Sequence, residues 1–327
     1  MLQYILRRIM WAIPTLLFIS VVSFAIIQLP PGDYLTSYLA SLAATGEYMD
    51  PEVAEELRIQ YGLDKPLYIQ YLRWIWGMLH GDFGYSLEWK EPVSKLIWER
   101  LALTFVLSLS TLLFTWLVAI PIGVYSATHQ YSAFDYIFTF FGFLGRGIPN
   151  FLFALVLMWI GFAYFGVDVG GLFSHEYLNA PWSLAKVWDM IKHLWIPMIV
   201  IGTSGTAGLI RIMRANTLDE LHKPYVMTAR AKGLPENRLL WKYPVRVALN
   251  PFVSTIGWAL PELVSGTTIT AIVLSLQTTG PLLYRALLTQ DMQLAGSFIM
   301  LLSTLTVIGT LISDILLAWL DPRIRYE

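Results

Sequence analysis

The sequence predicts an all-α polytopic membrane protein, and its composition is the first reason. Of its 327 residues, 56% are hydrophobic and only 14% are charged, whereas soluble domains carry roughly 25% charged residues. The 13 Trp, 17 Tyr and 17 Phe are typical of chains that place aromatic rings at membrane–water interfaces. The net charge of -1 and the lack of cysteine argue against a nucleic-acid partner, disulfides and thiolate chemistry. A soluble enzyme and a disordered chain are excluded as well.

Six apolar stretches are each long enough for the roughly 20 residues that a spanning helix needs. They cover residues 9–29, 101–127, 136–165, 194–213, 247–276 and 295–320. The first is longer than the core of a secretory signal, and no small-residue cleavage site follows it. We therefore interpret it as a retained first span.

Charges in the loops predict the orientation. Residues 211–246 hold eight basic and three acidic side chains, a balance of +5, and residues 30–100 hold six basic and eleven acidic ones, a balance of -5. Because basic loops stay inside, we expect residues 30–100 outside and the loop 214–246 inside. Residues 1–29 then comprise the inner N-terminus and first helix, residues 101–320 the core of five further helices, and residues 321–327 an inner C-terminus.

The outer segment, residues 30–100, contains a predicted amphipathic helix at residues 67–79. Its apolar side is expected to carry Ile69, Leu72, Ile75, Trp76 and Leu79, following helical spacing. Trp74 and Trp76 would suit the interfacial zone. Either a folded cap on the outer rim or a helix anchored on lipid headgroups fits this pattern.

The inner loop has the most informative pattern. Pro224 can occupy the first turn of a helix, and residues 225–232 favour helix, with small residues along one side. Gly233 stands where that helix would end, and Pro235 can begin a second, basic helix. Such a short helix, glycine corner and second helix can fit a groove in a soluble partner. The alternative is a positive loop that only fixes topology.

The string Tyr225-Val-Met-Thr-Ala-Arg-Ala-Lys-Gly-Leu234 resembles the coupling loop of permease subunits in ATP-binding-cassette (ABC) importers of the peptide/opine/nickel family. Further matching landmarks, in chain order, are Arg7-Arg8, Pro31-Gly32-Asp33, Tyr61-Gly-Leu-Asp-Lys-Pro66, Gly81-Asp-Phe-Gly-Tyr-Ser86, Ile148-Pro149 and Leu320-Asp-Pro-Arg-Ile-Arg-Tyr326. The general importer motif begins Glu-Ala-Ala, but here Met227, Thr228 and Ala229 occupy those places. No acidic residue is available there to dock a partner.

The resemblance implies a six-helix permease of the type I importer kind in the inner membrane of a prokaryote. It also implies a second homologous permease, two cytoplasmic ATPases and an extracytoplasmic solute-binding protein. The implied ATPase-coupling residues are Pro224, Tyr225, Thr228, Ala229, Arg230, Ala231, Lys232, Gly233 and Leu234. ATP and Mg would be held by the partner ATPases, and no cofactor or metal by this chain. The solute expected first is an oligopeptide, with oligosaccharides as the alternative.

The residues themselves also indicate that ATP is bound by the partner subunits and not by this chain. No Gly-x-x-x-x-Gly-Lys-Ser/Thr phosphate loop occurs in the chain, so we expect a transporter subunit that is not itself an enzyme. Gly202-Thr-Ser204-Gly resembles an intramembrane protease nucleophile, but none of the five histidines lies in the fifth or sixth span. His193 precedes Ser204 on the same helix by about 16 Å. A channel or secondary carrier is the third class, yet no internal repeat links the two halves.

Polar residues within the spans mark candidate solute contacts, because charges in lipid are costly and usually functional. Glu262 and Ser265 share a partly polar stripe in the fifth span, and Arg146 and Asn150 stand one turn apart in the third. One hypothesis is that these residues line the substrate pathway. The other is that Glu262 and Arg146 neutralise each other, or that Arg146 reaches toward the interface.

Overall fold

The computed structural model describes residues 2–29, 32, 34–44, 46, 48–60, 62–86, 88–166, 170–255 and 267–320. The helices there are α1 (Leu2–Gln28), α2 (Tyr34–Ala44), α3 (Pro51–Gln60), α4 (Leu67–Leu79), α5 (Val93–Thr128), α6 (Ala133–Gly147), α7 (Asn150–Phe165), α8 (Leu184–Leu221), α9 (Pro224–Ala231), α10 (Glu236–Lys242), α11 (Pro244–Ala248), α12 (Asn250–Ser254), α13 (Thr268–Val273), α14 (Thr279–Leu288) and α15 (Met292–Leu320). A 3₁₀ turn covers His175–Tyr177, and the strands β1 (Tyr85–Ser86) and β2 (Glu91–Pro92) pair antiparallel. The fold is all-α, as the composition predicts.

Four of these helices are long and apolar enough to cross a membrane. They contain the stretches Met10–Gln28, Val93–Thr128, Leu184–Leu221 and Met292–Leu316, and the pair α6 and α7 would make a fifth crossing if it counts as one span. The predicted fifth span, residues 247–276, has residues 256–266 outside the described part of the chain. The count of six spans therefore remains a prediction.

The predicted third span is not one straight helix. It consists of α6 and α7, which meet at Ile148 and Pro149 with a bend of 102°. Pro149 disfavours helical backbone in the residue before it, and Ile148 adopts an extended conformation with φ -92° and ψ 124°. The expectation that Arg146 and Asn150 lie one turn apart on a single helix was therefore wrong: they stand on different helices, on either side of the break.

By its internal contacts the chain divides into two units, residues 1–103 with 278–307 and residues 104–277 with 308–327. In the first unit, α1, the start of α5, α14 and α15 share a buried cluster that includes Ile97, Leu294 and Phe298. The β-hairpin is fixed to the start of α15, because Ser86 donates a buried hydrogen bond of 2.5 Å to Asp291.

Helix α4 has the predicted bounds, but its packed side was assigned wrongly. Trp74 is only 4% exposed and packs with Phe24 and Met300, whereas Trp76 is 66% exposed. Leu72 and Leu79, which the sequence placed on the apolar side, are exposed too. The helix has large apolar residues on more than one side, so hydrophobic spacing alone could not tell which of them is covered by other helices.

The second unit is organised around α8. One side of this helix is buried against α5, α11 and α12, in a cluster that includes Leu209, Met213 and Phe252. Its approach to α5 depends on Gly123, since a Cβ there would lie 2.5 Å from the Cβ of Met213. Helix α6 packs along another side of α8, where a Cβ on Gly145 would lie 2.8 Å from the Thr203 methyl group. The motif Gly202-Thr-Ser204-Gly thus lies in a region of close helix packing.

Candidate functional site

The segment from α9 to α10 has the geometry predicted for the inner loop. Lys223 precedes α9 in an extended conformation, Pro224 occupies the first turn, and the helix ends at Ala231. Gly233 follows with φ +77°, a left-handed conformation that glycine adopts without the steric penalty of other residues. Pro235 then precedes α10. We call residues 224–234 the coupling segment.

Three apolar side chains of this region are buried against each other. Val226, Ala229 and Leu239 form a small buried cluster, against which Leu234 and Tyr243 pack. The two short helices therefore carry their own core. Since an isolated helix of this length is unstable in water, this shared cluster is what holds α9 and α10 in one arrangement.

An exposed ion pair bridges the turn at Gly233, which we call the glycine corner. The Arg230 guanidinium donates from Nε and Nη2 to the two carboxylate oxygens of Glu236, at 2.6 and 3.1 Å. This two-point hydrogen bonding lowers the pKa of the Glu236 carboxyl below its usual range. It also raises the pKa of Arg230. Sequence reasoning missed the pair, because the two residues are six positions apart and meet only through the turn at Gly233.

The coupling segment is joined closely to α8. Only His222 and Lys223 separate the end of α8 at Leu221 from the start of α9. The Tyr225 hydroxyl also donates a hydrogen bond to Glu220, in the last turn of α8. Helix α8 is 38 residues long, which corresponds to about 57 Å. These two connections join α9 directly to a helix that is long enough to cross the bilayer.

A second ion pair links α8 to α6. Arg214 donates from Nε and Nη2 to the two carboxylate oxygens of Asp135, at 3.0 and 2.9 Å. Asp135 is only 3% exposed, and it also accepts a hydrogen bond from the backbone N–H of Tyr131. The pair was not predicted. The only sequence signal is Ser132, which caps α6 by accepting from the Asp135 N–H and so places Asp135 in the first turn.

The predicted pathway residues are only partly described. Glu262 and Ser265 lie outside the described residues, so their proximity to Arg146 is not established. Arg146 is exposed in the last turn of α6, and Asn150 is the first residue of α7.

For the protease alternative, His193 contacts the backbone carbonyl and the carboxylate of Asp189, at 2.8 and 3.6 Å. This arrangement does not include Ser204. Among the described residues, no group of three or more His, Asp or Glu side chains could hold a metal ion.

Known proteins identify the family. The family described as "Binding-protein-dependent transport system inner membrane component" matches residues 119–326, and a companion family for the N-terminal part of such components matches residues 1–108. The chain belongs to this family. The resemblance noted from the coupling segment is therefore confirmed, and the protein is a permease of an ABC importer in the inner membrane.

Full-length relatives agree with the family. The permease is 38% identical to the oligopeptide transport system permease protein AppB of Bacillus subtilis over 332 residues. It is 33% identical to the oligopeptide transport system permease protein OppB of Haemophilus influenzae over 328 residues, and 31% identical to the dipeptide transport system permease protein DppB of Escherichia coli K12 over 343 residues. Each alignment covers the whole of both chains.

These relatives confirm that the permease is a transporter subunit and not an enzyme. Such a subunit works with separate ATPase and binding-protein partners. The relatives' names refer to oligopeptides and dipeptides, which does not favour the oligosaccharide alternative.

Proposed function

We propose that this permease forms the translocation pathway for oligopeptide-like solutes and receives the force of ATP hydrolysis through its coupling segment. The observation that carries the proposal is the helix–glycine–helix of residues 224–242, in which Val226, Ala229 and Leu239 form a buried cluster and most of the other side chains are exposed. A positive loop that only fixed topology would need neither the buried cluster nor the ion pair across the corner.

The coupling segment acts as a lever because its two attachments are short and specific. Motion of α9 reaches α8 through two linking residues and the bond between Tyr225 and Glu220. The ion pair of Arg214 with Asp135 carries the motion on to α6. Rigid-body movement of packed helices is a common means of switching between outward- and inward-facing states.

Thiol crosslinking tests the contact with the ATPase, since the permease has no cysteine of its own. Met227→Cys places a thiol on the exposed side of α9, where Met227 is 57% exposed. Val226→Cys is the matched control, because Val226 is fully buried. In the assembled complex we expect a bifunctional reagent to link position 227, but not position 226, to the ATPase. Equal crosslinking at both positions, or none at position 227, would contradict the assignment of the coupling segment.

We further propose that both termini lie inside and that the complex contains a second homologous permease, two ATPases and one extracytoplasmic binding protein. The charge balance of the two long loops supports the orientation. A membrane-impermeant maleimide should label Lys65→Cys in intact spheroplasts and should label Lys232→Cys only after lysis. The reverse labelling pattern would show that the predicted orientation is inverted. Native mass spectrometry of the purified complex would give the subunit composition.

The solute is proposed to be a peptide because three full-length relatives are named for peptide transport. Proteoliposomes that contain the complete importer should accumulate labelled oligopeptides, and excess unlabelled oligosaccharide should not compete. Competition by the oligosaccharide alone would overturn this solute class and leave the coupling assignment intact.

Arg146, Asn150, Glu262 and Ser265 remain the proposed contacts of the solute in the pathway. Arg146→Ala and Glu262→Ala should reduce uptake without loss of assembly. Full transport by both variants would remove these residues from the pathway.

A further inference from the structure

Three landmark motifs of the outer segment meet at one cavity of the first unit, which we call the outer cavity. Gly32, Gly62 and Gly84 line it, one from each of the three motifs within residues 30–100. The end of α1, one side of α4 and the residues around the start of α15 complete its walls. The coupling segment contains none of these motifs, so coupling to the ATPases does not explain the outer cavity.

The outer cavity has the size of a small-molecule site. Its volume is about 180 Å³, and one water molecule takes about 10–15 Å³ of such a volume. The outer cavity therefore accommodates roughly 12–18 non-hydrogen atoms. A dipeptide, or a tripeptide with small side chains, has this size, whereas a folded element of a partner protein is larger.

Close approaches at two of the glycines place polar side chains in the wall of the cavity. A Cβ on Gly62 would lie 3.1 Å from Nη1 of Arg73, and a Cβ on Gly84 would lie 2.6 Å from Oε1 of Gln293. Arg73 and Gln293 both line the outer cavity. A side chain at either glycine would therefore displace a charged group or an amide group of the lining.

Gln290 lines the outer cavity from a strained backbone conformation. It lies just after α14 with φ +56°, a left-handed position in which glycine or asparagine is usual and a longer residue is strained. The Gln290 side chain lies beside Gly32, since its Oε1 is 3.7 Å from the position of a Cβ on that glycine. Because strained residues cluster at ligand sites, a glutamine at this position supports a role of its amide in binding.

One cationic and one anionic side chain stand on the wall beside α4. Arg73 and Gly77 are one turn apart on α4, about 6 Å along its axis, and the backbone oxygen of Asp82 lies 2.9 Å from the position of a Cβ on Gly77. The Asp82 carboxylate is held in place, because its Oδ1 accepts a hydrogen bond of 2.9 Å from the backbone N–H of Gly84. None of the ion pairs between described residues joins Arg73 to Asp82. The wall thus carries opposite charges that do not neutralise each other directly.

Glutamine amides supply further polar groups of the lining. The four glutamines that line the outer cavity are Gln28, Gln70, Gln290 and Gln293. A primary amide offers two N–H donors and one carbonyl acceptor, so such a wall can bond both the C=O and the N–H of a peptide bond. An acyl chain of a lipid would instead require an apolar wall.

We propose that the outer cavity binds a short peptide as a zwitterion, with Arg73 on its terminal carboxylate, Asp82 on its terminal ammonium and the glutamine amides on its peptide bond. The planar guanidinium presents two parallel N–H donors that match the two oxygens of a carboxylate. An extended dipeptide spans at most about 7 Å, close to the roughly 6 Å between the levels of Arg73 and Gly77 on α4. Neither Arg146 nor Asn150 of the proposed pathway lines the outer cavity.

Equilibrium binding of alanyl-alanine to the purified complete importer, without binding protein and without ATP, tests the proposal. Two analogues each remove one charge: the C-terminal amide lacks the carboxylate, and the N-acetyl peptide lacks the ammonium. The unmodified importer should bind alanyl-alanine about tenfold more tightly than either analogue, because hydrogen bonds to charged groups are stronger than those between neutral groups.

Two variants assign the two charges. Arg73→Gln should remove the preference over the C-terminal amide and keep the preference over the N-acetyl peptide. Asp82→Asn should do the reverse, and it retains an oxygen that can accept from the Gly84 N–H. Arg58→Gln is the matched control and should keep both preferences, because Arg58 belongs to α3 and does not line the outer cavity. A merely structural role would weaken the binding of all three ligands equally.

The outcomes also separate two sources of a zwitterion. A lipid headgroup with ethanolamine carries the same pair of an ammonium and an anionic group, and glycerophosphoethanolamine is the probe for it. Binding of this probe in place of alanyl-alanine would overturn the peptide assignment. No saturable binding of alanyl-alanine, equal loss of all three ligands in the variants, or unchanged preferences in both variants would overturn it as well. Because binding is measured without transport, a failure of the proposed peptide uptake would leave these results standing.

Discussion

Replacement of Gly233 tests whether the glycine corner is needed for its backbone conformation. Gly233 has φ +77°, and a Cβ built on it would meet no atom of the described residues within 4 Å, its two chain neighbours aside. The cost of a side chain within the permease is therefore backbone strain alone, about 1–2 kcal/mol for alanine. Valine is expected to cost more because its β-branch disfavours positive φ, whereas asparagine tolerates this region and should cost only a fraction as much.

These energies translate into populations of the native corner. A penalty of about 1–2 kcal/mol changes the equilibrium between the native corner and other conformations by roughly 5- to 30-fold. We therefore expect coupling to fall in the order Gly, Asn, Ala, Val. The variants should still assemble in membranes, because the buried cluster of Val226, Ala229 and Leu239 does not include Gly233.

The assay is the number of solute molecules taken up per ATP hydrolysed in proteoliposomes that contain the complete importer. Gly233→Val should hydrolyse ATP with little uptake, and Gly233→Asn should retain most of the coupling. Normal coupling by Gly233→Val would refute the lever assignment. If Gly233→Asn were as defective as Gly233→Val, backbone strain would be the wrong explanation, and space for the ATPase would be the requirement.

Three further predictions concern stability and pH. Asp135→Ala should lower the free energy of unfolding by about 3 kcal/mol, the lower end for breaking a buried ion pair, because Arg214 is partly exposed. Asp135→Asn should cost less in the same denaturant titration, and equal costs would show that the charge of Asp135 is not what stabilises the pair. Trp74→Ala should cost about 3–5 kcal/mol by emptying a buried site, whereas Trp76→Ala should cost less than about 0.5 kcal/mol; similar losses would reject the packed side of α4 described above. Because pairing with Arg230 lowers the pKa of Glu236, the contribution of the pair is present above the ordinary pKa of glutamate and is lost as the pH falls through the lowered value. A carboxyl ¹³C titration should therefore give a lower midpoint in the unmodified permease than in Arg230→Gln, and identical midpoints would contradict the pairing.

Local chemistry explains which parts of the fold could be predicted from the sequence. The bounds of α4 and the sequence of α9, Gly233 and α10 follow from proline at helix starts and glycine at a helix end, which act within a few residues. The break at Ile148 was missed because an apolar run of 30 residues reads as one span whether or not a proline bends it. The strength of the hydropathy signal concealed the change of direction.

Tertiary contacts account for the rest. The choice between Trp74 and Trp76 depends on Phe24 and Met300, which are distant in sequence. The pairing of Asp135 with Arg214 likewise joins residues that are 79 positions apart. None of these is encoded in a local pattern.

The contacts of the small cluster between Val226 and Tyr243 are all supplied from within that stretch. Outside this cluster the stretch has two described attachments, since Leu240 packs against the cluster that contains Leu209 and Met213 and Tyr225 is bonded to Glu220. It could therefore be transplanted between related permeases in which these two contacts are kept. Chimaeras that exchange residues 223–243 would then change which ATPase the permease binds without changing which solute it transports. Evolution could use the same junction to re-pair membrane subunits with new ATPases.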